Sequence, residues 1–206
     1  VCNYSWSTND TEFFTEMKTN IEKGFQLLQA WEFNNNHLIY VPRSGNWADE
    51  YITEGHIFYD QVLRLWALRC YQAIQPSTDV SEKIKAIKTI IEANYTKGKN
   101  LHPYHPRAYK SLNNKPYWMA SINTSGYQTM FDAFGNSIAI LLELGDASFR
   151  ENQIMYAEEL RKSLKFQLLP AFWKPIFDTT DFAEFIKKQY TIGHQTEVDM
   201  EEMLEN

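Results

Sequence analysis

The chain has 206 residues, 44% of them hydrophobic and 15% aromatic, enough for one domain with a sizeable core and too rich in large side chains for a disordered chain. A net charge of -6 argues against a nucleic-acid groove, which needs clustered Lys and Arg, and no apolar run approaches the ~20 residues of a membrane span. Cys2 and Cys70 lack metal-ligand spacing and point to a reducing, cytoplasmic compartment rather than a disulfide framework.

In chain order, residues 10–30 carry Phe14, Met17, Ile21, Phe25 and Leu28 at spacings of three and four behind a candidate N-cap at Asn9 or Asp10. This predicts a one-sided surface helix. Residues 56–75 are apolar around most of the circumference, from Ile57 and Phe58 to Tyr71 and Ile74, which predicts a helix covered on both sides. Residues 79–97 return to a single stripe of Val80, Ile84, Ile87, Ile91 and Tyr95, closed by Gly98. Residues 129–144 are again apolar nearly all round. Residues 149–168 show Ile154, Ala157, Leu160, Leu164 and Leu168 opposite charges, and Pro170 and Pro175 end the pattern. Between these segments, His37 to Val41 is the one candidate strand, and residues 100–118 read as irregular. The tail, residues 191–206, is acidic and reads as solvated, with Glu197, Asp199, Glu201, Glu202 and Glu205 near the end.

One-sided helices alternating with all-round apolar ones predict an all-α fold of helical hairpins in two concentric layers, a toroid of which about six helices are present, over residues 1–190. The two inner helices then run the same way, so the segments before them meet at one end. Those segments are Gly45-Asn-Trp-Ala-Asp-Glu-Tyr-Ile-Thr-Glu-Gly-His56 and Asn123-Thr-Ser-Gly-Tyr-Gln-Thr-Met-Phe-Asp-Ala-Phe-Gly-Asn136.

A sugar is held by stacking its C–H face on an aromatic ring and by pairing its hydroxyls with carboxylates, amides and imidazoles. Trp47, Asp49, Glu50, His56, Tyr59 and Gln61 from the first region, with Tyr127 and Asp132 from the second, are the candidate substrate-binding residues. The structural alternative is that Asp49, Glu50 and Asp132 cap helices and Trp47 belongs to the core. His102 and His105 lie among prolines that prevent the helical spacing of a zinc pair, so no metal site is expected, and no phosphate loop or nucleophile elbow occurs.

At these motifs the chain resembles the inverting glycosidases of the (α/α)6-toroid class, the alkaline/neutral invertases and the amylo-α-1,6-glucosidase or glycogen-debranching type. Asn46-Trp-Ala-Asp-Glu-Tyr, with Gly55-His56 and Tyr59-Asp-Gln-Val-Leu63, is similar to their Asp-Trp-Ala-Asp segment and the inner helix after it. Met130-Phe-Asp-Ala-Phe-Gly-Asn-Ser-Ile-Ala-Ile140 is similar to their Arg-Phe-Asp-Thr-Leu-Gly-Asn segment. The resemblance implies inverting hydrolysis of an oligosaccharide or a sucrose-like disaccharide by two carboxylates without a cofactor. It also implies that the family's catalytic acid and base lie outside this chain, leaving the chain alone inactive. The alternatives are a non-catalytic carbohydrate-binding module, or a scaffold that associates with itself or with the missing half of the toroid.

Overall fold

The computed structural model describes residues 1–33, 36–43, 45–48, 53–98 and 103–174. Two helices open the chain, α1 (Cys2–Thr8) and α2 (Thr11–Ala30). Asn9 turns between them in the left-handed conformation, and the Asp10 carboxylate caps α2 by accepting from the Phe13 N–H at 3.0 Å. A short strand β1 (His56–Ile57) leads directly into α3 (Phe58–Ile74), followed by α4 (Thr78–Asn94) and a short α5 (Pro106–Ser111). Then come the hairpin strands β2 (Met119–Asn123) and β3 (Gly126–Asp132), helices α6 (Ala133–Leu141) and α7 (Ala147–Ser163), and β4 (Phe172–Trp173).

The expectation of an all-α toroid is overturned. The strands form one antiparallel sheet in the order β1-β2-β3-β4, with His56 opposite Ile122, Ile122 opposite Tyr127 and Phe131 opposite Trp173. Residues 129–132, read as the first turn of a helix, are the end of β3, and the loop expected over 100–118 contains α5, with Pro106 in its first turn. The His37–Val41 segment forms no named strand; Val41 makes a single bridge to Gly55. Residues 191–206 lie outside the described residues.

The helix pattern fares better within this mixed α/β fold. α3 packs on both α4 and α6, and the main core joins Phe58, Val62, Leu65 and Leu68 of α3 to Ile87 and Ile91 of α4, Trp118 and Ile122, and Ala139. α6 is not covered all round, however: Phe134 is 51% and Leu141 73% exposed. α7 packs Leu160, Ala157 and Leu164 of the expected stripe against the core, but leaves Ile154 exposed and buries the polar Gln153; Leu168, beyond the helix, is also exposed. A polar contact accounts for the buried Gln153, whose amide donates to Asn136 Oδ1 at 2.9 Å. Asn136 is itself saturated, accepting from the Trp118 N–H and donating to the Trp118 and Asp132 carbonyls.

β1 and β3 both run antiparallel to β2, so they run parallel to each other, and each passes into a helix without an intervening residue. Helices α3 and α6 therefore both start from the same end of the sheet. Their starts are in contact. A Cβ on Gly135 would come within 2.9 Å of Phe58 Cδ1 and 2.8 Å of Asp132 Oδ2, so the approach of the two helices depends on a residue without a side chain.

Candidate functional site

The corner where α3 and α6 begin collects an unusual set of side chains. Asp132 ends β3 and caps α6: its Oδ1 accepts from the Gly135 N–H at 3.0 Å, the usual work of an N-cap aspartate. Its second oxygen, Oδ2, is buried with no hydrogen-bond partner, in a residue only 1% exposed. A buried acceptor left unpaired costs roughly 1–3 kcal/mol. Burial raises the Asp132 carboxyl to about 6, against the lowering influence of the Gly135 and Phe134 backbone N–H groups, of which only Gly135 makes a hydrogen bond of ordinary geometry, and the Asp60 charge raises it further.

Asp60 stands in the first turn of α3 and is likewise raised to about 6 by burial, with the Asn46 amide opposing the shift. That amide donates to Asp60 Oδ2 at 3.1 Å, while Asn46 Oδ1 accepts from the Ala48 N–H at 2.9 Å. The pair of bonds ties the loop carrying Trp47 to the start of α3. Trp47 remains 46% exposed. Its ring stacks on Phe172 of β4 at 13° between planes and meets Phe134 of α6 edge-on and Tyr59 of α3 at a tilt, with centroids 5.0–6.0 Å apart. The Tyr59 phenol is pushed up by burial and by the Asp60 and Asp132 charges, which places all three groups in one electrostatic neighbourhood.

Of the residues singled out from sequence, Trp47, Tyr59 and Asp132 are brought together here. Asp49 and Glu50 lie outside the described residues. Gln61 is not a ligand group: it is fully buried, and its amide clamps the 36–43 segment by accepting from the Ile39 N–H at 3.0 Å and donating to the Ile39 and Ile57 carbonyls. Tyr127 sits five residues up β3 from Asp132, about 16 Å along the strand, packed against the main core with its phenol pushed up by burial. His56 faces a separate cleft beyond β1. His102 lies outside the described residues, and His105 is occupied as the cap of α5 and by the Thr124 carbonyl.

The sequence reading missed Asp60, Asn46, Phe134 and Phe172 as members of this corner. Asp60 had a readable signal, being a carboxylate in the first turn of a helix whose circumference is otherwise mostly apolar. Phe172 had none, because only the β3–β4 pairing carries it there.

Chemically, the corner offers an aromatic face, one buried carboxylate oxygen without a partner, and a second carboxylate held by an amide. Burial raises both acids from the ordinary carboxylate range to about 6. Among the described residues no group of three or more His, Cys, Asp or Glu is placed to hold a metal ion, and no helix is long and apolar enough to cross a membrane. No protein-family model matches the chain, and no curated protein matches it.

Proposed function

We propose that this chain is part of a glycoside hydrolase acting on an oligosaccharide or a sucrose-like disaccharide, and that the corner between α3 and α6 is part of its sugar-binding surface. The observation that carries the reading is the unpaired, buried Asp132 Oδ2 at the cap of α6, the helix whose Phe134 packs edge-on against the half-exposed Trp47. The sugar's C–H face covers Trp47, and because Oδ2 has no exposed surface, a sugar hydroxyl reaches it only by displacing the side chains packed over it, which removes the cost of leaving that acceptor unmatched. The likeness of the two motifs to invertase and debranching-type glycosidases supports the same reading. The two free thiols, Cys2 and Cys70, suit a reducing cytoplasm as its compartment.

The test is titration of the chain with sucrose and maltotriose, followed by calorimetry. Asp132→Asn and Trp47→Ala are each expected to weaken binding about tenfold or more, the loss of one good contact. Affinity unchanged in both variants would overturn the assignment. The chain alone is expected to show no hydrolysis; turnover abolished by Asp60→Asn would instead make the two carboxylates the reacting pair. A self-associating module is the second reading, favoured by the exposure of Phe134 and Leu141 on α6, and sedimentation equilibrium showing a dimer would select it.

A further inference from the structure

Apart from that corner, a cleft of about 520 Å³ lined by aromatic rings opens at β1. Four rings from three segments line it: Phe33 and Tyr40 from the stretch after α2, His56 from β1, and Tyr104 from the segment before α5. The rings lock one another in place. Phe33 meets Tyr40 edge-on at 5.4 Å, Tyr40 meets His56 edge-on at 5.7 Å, and His56 lies 5.4 Å from Tyr104. The Tyr104 hydroxyl donates to the Asn36 carbonyl, which ties two of the walls together.

The polar groups at this cleft are uncharged. His56 Nδ1 lies 3.1 Å from the Ile39 carbonyl, which can only accept, so Nδ1 carries the proton. Burial pushes the imidazole below its ordinary value, so the ring is neutral at pH 7 and its Nε2, across the ring, is an acceptor. Asn123 spends its Oδ1 on the Ser125 and Gly126 N–H groups of the hairpin turn and keeps its Nδ2 donor. No lining side chain among the described residues is an acid, a lysine or an arginine. A charged ligand would lose its hydration here without a counter-charge, whereas a neutral ring with apolar faces and hydroxyls matches every group present.

We infer that the cleft of Phe33, Tyr40, His56 and Tyr104 is a second, separate sugar subsite that takes one uncharged pyranose unit, with a hydroxyl donated to His56 Nε2 and the ring stacked on the aromatic wall. It rests on the reading that the chain handles carbohydrate, and it deepens that reading by making the ligand a neutral oligosaccharide, or two short sugars, rather than one monosaccharide at one point. The two sites are differently built: carboxylates and Trp47 at the corner, imidazole and amide in the cleft.

The experiment is NMR of the full chain labelled with ¹⁵N in histidine and tryptophan side chains, titrated with maltotriose, cellotriose and, as a charged control, glucuronate. The neutral trisaccharides are expected to shift the His56 Nε2 resonance saturably, and glucuronate is expected to bind more weakly. Phe33→Ala, at a position already 56% exposed and so safe for folding, is expected to weaken the His56 response about fivefold while leaving the Trp47 indole response unchanged. A Trp47 response without a His56 response overturns the second subsite and leaves the corner standing. A His56 response without one at Trp47 supports the cleft and overturns the corner. Silence at both overturns both, and a His56 response that Phe33→Ala does not weaken, or that glucuronate matches, overturns the neutral-ring assignment.

Discussion

Asp132 divides two tasks between its two oxygens. Oδ1 satisfies the start of α6, and Oδ2 is buried without a partner, so the side chain serves the fold with one atom and holds the other in reserve. The choice between capping and ligand binding that sequence left open is therefore not exclusive. Asn can also cap a helix but carries no charge, which permits a clean test. A carboxyl raised from 3.8 to about 6 binds its proton more tightly in the folded state, so its contribution to stability is complete below pH 4 and is lost as pH rises through 6. Asp132→Asn is accordingly expected to raise stability by about 3 kcal/mol at pH 8 and by little at pH 4, measured by urea unfolding at the two pH values. Equal gains at both would show that the charge is not the cause. Gln61 is the opposite case. Its composition suits a sugar contact, yet three hydrogen bonds to backbone consume it, and nothing in a single residue type distinguishes those uses.

Among the elements, the helices were legible because burial on one or both sides writes a 3.6-residue period that survives local variation. The sheet was not, for a physical reason visible in β2: Met119, Ala120, Ser121 and Ile122 are all buried, so the strand has no wet face and no alternation. β3 runs straight into α6, and its last apolar residues merge with the helical stripe. β1 and β4 have two residues each, too short for any period. What aligns them is tertiary: the Gly55 amide and carbonyl pair with Val41, and Gly55 takes φ +92° where β1 begins. A Cβ there would lie 2.4 Å from the Ile122 carbonyl oxygen. Gly55→Ala is expected to cost about 2–4 kcal/mol, from strain and from the clash together, read as a lower thermal midpoint with helical circular dichroism retained below it. A midpoint unchanged within a degree would remove the close β1–β2 approach from the account.

For the whole molecule, one buried ionic hub spans the layers. Glu32, beyond the end of α2, pairs with Arg64 of α3 and with Lys83 of α4 at 3.0 Å, and Arg64 also donates to the His37 carbonyl at 3.1 Å. The Glu32 and Arg64 side chains are each only 4% exposed. Burial alone would raise the Glu32 carboxyl, but the hydrogen bonds from Arg64 and Lys83 outweigh it and hold it below the ordinary range. Its sign is opposite to that of the aspartates: the stability it contributes is present above the ordinary glutamate value of 4.5 and is lost as pH falls through its depressed folded value. Glu32→Gln leaves Arg64 buried without its counter-charge and is expected to destabilise by roughly 3 kcal/mol at pH 7, with the gap closing below pH 4.5, as measured by urea unfolding. A loss independent of pH would mean that packing, not charge, holds these layers.

The sheet's spatial order equals its order along the chain, yet its outer pairs join remote segments. The central hairpin closes over two residues between Asn123 and Gly126, while His56 must find Ile122 across two long helices and Phe131 must find Trp173 across two more. Loop-closure entropy makes these events unequal: the hairpin is available early as a template, and the edge strands dock only once the intervening helices have shortened the path. Because Trp47 leans on Phe172 of β4, the aromatic wall of the corner is complete only once that edge strand has docked. The surface proposed to bind sugar is thereby a late product of folding, and local opening that releases the β4 edge would dissolve that aromatic wall while the helical core remained intact.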